Sequence, residues 1–157
     1  MEYKLDEIDL KILRMMQDNA RINNSELARE LGMAPSAVLE RVKKLEHKDA
    51  IVAYHARVNP NAINQKMLSF IFIKVDEIIG DENTGRALAE IPEVLEVHDI
   101  AGDDGYIVKV RTSDSIALVN LMRNSLSKID GIISTRTIIV LQTVKEDNKL
   151  IIPDTLE

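Results

Sequence analysis

The sequence predicts an α+β chain: a helical N-terminal head followed by a sheet domain of order βαββαβ. Three observations predict it. Apolar residues recur at helical spacing from Ile8 to Leu45, as on the buried stripe of amphipathic helices. After Asn59-Pro60-Asn61 the rhythm changes to β-branched and aromatic runs such as Leu68–Val75, which suit a pleated, half-buried surface. Capping and turn residues stand between the runs, so each element has a start and a stop.

The first helix begins near Asp6, where early acids suit the positive end of the helix dipole, and Ile8, Ile12, Leu13 and Met16 form its apolar face. Asn23-Asn24-Ser25 offers capping side chains before Glu26, and Leu27, Ala28 and Leu31 make the inner face of a short second helix. Gly32 follows, as a left-handed helix end requires. Ala34-Pro35-Ser36 opens a third helix, with Pro in the first turn where no N–H is needed. Its inner face is Val38, Val42 and Leu45, and it ends near Asp49. Ile51–Val58 alternates and is rich in β formers, which predicts a two-stranded wing. The order cap, helix, Gly32, turn, Pro35, helix is the grammar of a winged helix-turn-helix centred on residues 24–48.

In the second part, Leu68–Val75 reads as a strand and Glu82–Ile91 as a helix closed by Pro92. Val94–Ile100 and Tyr106–Arg111 are two strands joined by Gly102-Asp103-Asp104-Gly105. Ser113-Asp114-Ser115 caps a helix running to about Ile129, Gly131 ends it, and Ile132–Val144 is a long final strand. That order is the ferredoxin-like split βαβ motif. Helices on one face of such a sheet leave the other apolar, so a second copy of the chain is its expected cover. The expected domains are 1–60, a linker at 61–67, the sheet domain at 68–146, and a tail at 147–157 that is polar and then apolar.

Composition excludes several classes. The 157 residues contain no cysteine, which removes disulfides, thiolate zinc sites and cysteine nucleophiles together. Met1–Asp6 is charged and carries no apolar run, and the longest apolar stretches, such as Ser69–Ile73, are far too short for a bilayer. A cytoplasmic protein without membrane partners is expected. His47, His55 and His98 lack metal-ligand spacing, and no phosphate loop, nucleophile elbow or catalytic dyad occurs. No catalytic residue, metal or cofactor is therefore expected. Net charge is −6, but residues 1–60 hold 10 Lys/Arg and 10 Asp/Glu, against 10 and 16 in the remainder. A neutral head gives no bulk attraction for nucleic acid, so local arrangement must supply any binding.

The whole pattern resembles the Lrp/AsnC, or feast/famine, family of transcription regulators, from about Leu5 to Val144. The resemblance is carried by Leu5–Leu13, Asn19-Ala20-Arg21, Glu26-Leu27-Ala28 with Leu31-Gly32, and Arg41–Glu46 leading into Ile51-Val52. It continues through Val58-Asn59-Pro60 and Ile100-Ala101-Gly102-Asp103 with Tyr106. It implies a sequence-specific DNA-binding regulator whose sheet domains pair into dimers, assemble further to octamers, and bind a small effector, usually an amino acid. With Val38, Val42 and Leu45 inward, the outward set on the reading helix is Ser36, Ala37, Glu40, Arg41 and Lys44, with Lys43 alongside. Ser36 can meet a base or a phosphate, and Arg41, Lys43 and Lys44 can neutralise phosphates. Ser25 is placed for the backbone, and Arg57 is a wing candidate. A basic helix face is also an ordinary solvated face, and Arg41 has a second reading as an intramolecular tie to an acid such as Glu30.

Relatives often carry Ser or Thr at position 34 and a basic residue at position 40, where this chain has Ala34 and Glu40. For the effector, the resemblance points to the turn Gly102, Asp103, Asp104, Gly105, to Tyr106 and His98 beside it, and to Ser134, Thr135, Arg136 and Thr137 on the last strand. Backbone N–H groups there suit a carboxylate, and the aspartates suit an ammonium. Taken as plain chemistry, the same four residues are a turn. The family turn often carries an aromatic and then an acid, where Asp104 and Gly105 stand here. Two other readings share the architecture. One is an enzyme resembling sirohaem decarboxylases, with His98 and Arg111 or Arg136 as its working groups; the other is an oligomeric scaffold that binds no DNA.

Overall fold

The computed structural model describes residues 4–76 and 82–156. Met1–Tyr3 of the charged opening segment and Glu157 at the end of the tail lie outside them. The chain divides into two units: one holds the residues up to Arg57 and from Lys145 on, the other runs Val58–Val144.

The first unit is three helices, α1 Glu7–Asp18, α2 Asn24–Leu31 and α3 Pro35–His47. Asp6 and Asp9 form a reciprocal capping box at the start of α1, each side chain accepting from the other's backbone N–H. Asn23, not Asn24 or Ser25, caps α2 by accepting from Glu26 N–H at 2.9 Å. Gly32 ends it with φ 65°, and Met33 N–H donates to the Ala28 carbonyl at 2.9 Å. Pro35 opens α3, and Ala34 gives it no side-chain cap. Ile12, Leu27, Ala28, Val38, Val42 and Leu45 bury together as its core, each large side chain adding about 1.5–3 kcal/mol. The inner face of α1 differs from the periodic expectation: Leu10 and Asp9 are fully buried, while Ile8, Leu13 and Met16 are only half-buried.

The expected two-stranded wing is absent among the described residues. Residues 52–58 are extended, exposed and unpaired. A wing needs a reversal, and Ile51–Val58 contains no Gly, Asn, Asp or Pro to make one. Two side chains tie the segment down: Tyr54 O–H donates to the Glu46 carboxylate of α3 at 2.8 Å, and Arg57 pairs with Glu146. Burial and that carboxylate push the Tyr54 phenol up to about 12.

The second unit is a sheet of β1 Met67–Val75, β2 Val94–Asp99, β3 Tyr106–Thr112 and β4 Ile132–Ile139, with helices α4 Asn83–Ala89 and α5 Ser115–Asn124. Strand order is β2-β3-β1-β4, all neighbours antiparallel, as the split βαβ pattern requires. Asp114 caps α5 by accepting from Ala117 N–H at 2.8 Å. A short 3₁₀ turn, Leu126–Lys128, replaces the last turn expected of α5. The final strand stops at Ile139 rather than Val144, because Ser69 pairs with Ile139 and β1 begins only at Met67. One more bond, Val140 N–H to the Leu68 carbonyl, closes the ladder.

Side chains alternate across this sheet. Ile71, Ile73, Tyr106, Val108 and Val110 turn into a core with Leu88, Leu118, Leu121 and Leu126. The intervening Phe70, Phe72, Ile107 and Lys109 occupy the opposite face.

Gly32 and Asp49, each at a helix end with left-handed backbone, predict opposite effects. Gly32→Ala adds a Cβ into open space at φ 65°, so the cost is conformational alone, about 1 kcal/mol. Asp49 already bears a side chain at φ 55°, so Asp49→Gly gains up to about 1 kcal/mol. Urea unfolding of the two variants measures both.

Candidate nucleic-acid interface and effector site

The expected DNA-contacting residues divide into two groups. Ser36, Ala37, Glu40, Lys43 and Lys44 lie along the exposed side of α3, and Ser25 is exposed in the first turn of α2. Arg57 is 70% exposed but pairs with Glu146 at 3.6 Å. Arg41 behaves differently. Its guanidinium turns to α1, where Nη1 lies 2.7 Å from both the Asp6 and Asp9 carboxylates. The expectation of an outward reading residue is corrected: Arg41 ties the two helices. Its partners are Asp6 and Asp9, while Glu30 pairs with Arg29 at 3.6 Å.

The physical reason is the Asp9 side chain, which is only 1% exposed. A carboxylate so buried needs a cation. Burial pushes the Asp6 carboxyl up, but the Asp9 and Ile8 amides and the Arg41 guanidinium outweigh it and hold the group below its ordinary value. Lys4, Asp6, Asp9, Glu40, Arg41, Lys43 and Lys44 line a shallow groove of about 750 Å³ between α1 and α3. Its acids nearly balance its bases. The groove therefore attracts no polyanion by bulk charge, in keeping with the neutral head.

The ten expected effector residues do not converge on one spot. Gly102–Gly105 forms the turn, with Ile100 N–H donating to the Gly105 carbonyl and Gly105 N–H to the Ile73 carbonyl. A Cβ at Gly105 would collide with the Val75 side chain, so glycine here lets the turn lie against β1. Asp104 reaches Arg136 of β4, with Nη2 to Oδ2 at 3.3 Å, and the Arg136 guanidinium stacks 4.1 Å from the Phe72 ring centroid. Ser134 shares the open face with Arg136, being paired with Lys74 as Arg136 is with Phe72. Thr135 and Thr137 alternate to the helix face, where Thr137 meets Met122 sulfur at 3.8 Å. Tyr106 is corrected too: its ring is buried in the core against Gly85, not beside the turn.

His98 stands on exposed β2, 3.3 Å from Glu96, which also takes Lys109 at 3.1 Å. Burial raises the Glu96 carboxyl, but the hydrogen bonds from Lys109 and His98 prevail and hold it low. Phe72 and Asp9 were not singled out as site residues by sequence reasoning. The spacing of Asp6 and Asp9 marks a helix cap, but nothing local connects either to Arg41, over thirty residues on.

A helix-turn-helix head joined to a ferredoxin-like sheet domain defines a DNA-binding regulator with a ligand-type second domain. Residues 5–46 match the AsnC-type helix-turn-helix domain, and residues 69–150 the Lrp/AsnC ligand binding domain. The leucine-responsive regulatory protein of Escherichia coli (strain K12) is 35% identical over 150 residues, covering 94% of this chain and 92% of that one. A feast or famine regulatory protein from M. tuberculosis, solved with L-methionine, superposes with TM-score 0.86 at 31% identity, covering 95% of this chain and 99% of that one. A Neisseria meningitidis transcriptional regulator, also solved with L-Met, gives TM-score 0.84 at 27% identity over 93% and 96% of the two chains. The chain belongs to the Lrp/AsnC family and is a DNA-binding transcription regulator. No helix among the described residues is long and apolar enough to cross a membrane.

Arg41→Ala leaves Asp9 buried without its guanidinium, and is expected to cost roughly 3 kcal/mol in urea unfolding. Because the folded-state Asp6 carboxyl is held low, its contribution is full above the ordinary value of 3.8 and is lost as pH falls below it. Acid titration of unfolding should show that loss in the wild type and a smaller one in Arg41→Ala, where the Asp9 and Ile8 amides still hold the carboxyl low.

Proposed function

We propose that this regulator reads DNA with the outward stripe of α3 and responds to an amino acid held at the Gly102–Gly105 turn. The observation that carries the reading is the Arg41 ion pair: it seats α3 against α1 and leaves Ser36, Ala37, Glu40, Lys43 and Lys44 on the exposed side. A reading helix needs that rigidity, since base edges are met by its first turns. Lys43 and Lys44 take phosphates, Ser36 and Ala37 meet base edges, and Ser25 sits where α2 offers N–H groups to a phosphate. Arg57 is a second phosphate contact once it leaves Glu146. Glu40 repels the backbone and favours sites where it accepts from a cytosine amine.

The effector reading rests on the Asp104–Arg136 pair. A zwitterion matches it: the ligand ammonium takes Asp104 and its carboxylate takes Arg136, with Ser134 beside them. The L-methionine in the two similar structures supports this class of ligand. Gly102 and Asp103 shape the turn, and His98 sits farther along the open face. Against an enzyme of the sirohaem-decarboxylase type stands the engagement of each suspected group: His98 with Glu96, Arg136 with Asp104, and Arg111 with the Gln65 carbonyl.

The open sheet face supports a dimer. Phe70, Phe72, Ile107 and Ile138 stand side by side in register, and a second sheet packed face to face is their natural cover. Assembly beyond that, to an octamer, rests on the family resemblance. A regulator of this kind acts in the cytoplasm.

Four measurements test the reading. Gel shifts on the region upstream of the gene should weaken steeply with salt, and Lys43→Ala should lower the slope of log K against log salt by about 1. Glu40→Ala should tighten binding to random-sequence DNA; an unchanged affinity removes the repulsion argument. L-Methionine or L-leucine at a hundredfold excess over Kd should stabilise the protein by about 2.7 kcal/mol, an effect absent in Arg136→Ala. Sedimentation of Phe70→Asp should give a monomer.

A further inference from the structure

The chain beyond Val144 belongs to the helical unit, although it leaves from the sheet domain. It is fixed there by contacts spread along α1. The Gln17 amide holds the Leu150 backbone from both sides, its Nε2 donating to the carbonyl at 2.7 Å and its Oε1 accepting from the N–H at 2.9 Å. Lys149 Nζ meets Asp18 at 2.9 Å, and Asp154 meets Arg14 at 2.6 Å. Glu146 pairs with Arg57 at the other end of the unit. The direction is consistent: residues 149 and 150 sit at the C-terminal turn of α1 and residue 154 one turn earlier, so the tail runs antiparallel to the helix.

Two further facts fit a seated segment rather than a trailing end. Ile152, midway between the two anchor points, is half-buried, while its neighbour Ile151 is 99% exposed. Leu10 shares the stripe of Arg14 and Gln17 at spacings of four and seven. It is buried, as the half-buried Arg14 and Gln17 partly are. Each ion pair here is exposed and individually weak. The two-sided grip of Gln17 on the backbone of one residue, through its N–H and its carbonyl, is different, because it fixes both position and direction of the tail.

We propose that residues 145–156 are a strap that folds as part of the DNA-binding unit, clamping α1 through Gln17. The helix so clamped carries at its other end Asp6 and Asp9, which hold Arg41 and thereby α3. The strap is also the covalent continuation of β4, the strand bearing Arg136. The reading helix is therefore joined to the sheet domain by two crossings of the chain, at Arg57–Val58 and at Val144–Lys145, and DNA binding depends on both.

Limited trypsin digestion of the full-length protein tests this at the Lys149–Leu150 bond, with hydrogen exchange of the α1 amides as a second readout. A terminus is readily cleaved unless tied down, and cleavage reports the open population when reclosing is fast. Gln17→Ala should speed that cut by about tenfold and speed α1 exchange. Arg14→Asp and Asp154→Arg should each do so more weakly, and the double charge swap should restore protection. Affinity for random-sequence duplex DNA should fall in Gln17→Ala. Cleavage of the wild type as fast as that of the urea-unfolded chain would overturn the strap. Unchanged α1 exchange in Gln17→Ala, or unchanged DNA affinity once the tail is released, overturns it as well.

Discussion

A carboxylate in the wrong place for water organises the head of this protein. Asp9 occupies a helix position whose neighbours Leu10 and Ile12 are fully buried, and its own side chain is almost wholly removed from solvent. Such a group is tolerable only when its charge is matched and its oxygens are bonded. Arg41 supplies the charge and the Asp6 amide supplies a bond. The arrangement serves two ends at once. It caps α1, and it sets the phase of α3, because a residue committed inward at 41 fixes which stripe faces out. The DNA-facing side is thus defined by what the helix must bury rather than by where its positive charge lies.

That order of causes explains how a regulator of DNA can have a neutral head. Polyanion attraction adds affinity without sequence information, and here the groove beside α3 mixes acids and bases. Discrimination then falls on the few exposed groups in the first turns of α3, where Glu40 stands among them. In the second unit the same logic operates through the sheet. One face is filled by helices, and the other presents aromatics and an arginine stacked on one of them. Arg136 is held between an aspartate and an aromatic ring, a setting that fixes the geometry of a guanidinium.

How much of this could be read from the chain depended on the range of each interaction. Asn23, Gly32, Pro35 and Asp114 act within four residues, and each does what its local chemistry implies. The element order βαββαβ follows from periodicity in the same way. Errors arose where a distant neighbour decides. Alternation in Ile51–Val58 was real, but a strand needs a partner and none lies among the described residues. The last strand ended opposite the start of β1, not where its β-branched residues did. Tyr106 belonged to the core because Gly85, twenty-one residues earlier, leaves room for its ring.

The sequence by itself determined the helices and where they start, the order of strands, the family and so the class of function. These rest on short-range propensity, capping and pattern, which a linear chain carries in full. Only the tertiary structure decided what Arg41 does, which of the last-strand residues share a face with Arg136, and where the C-terminal tail lies. Each of those turns on pairing groups far apart in the chain. The energy that selects such a pair, the desolvation of Asp9 above all, exists only once the surrounding apolar residues have closed around it.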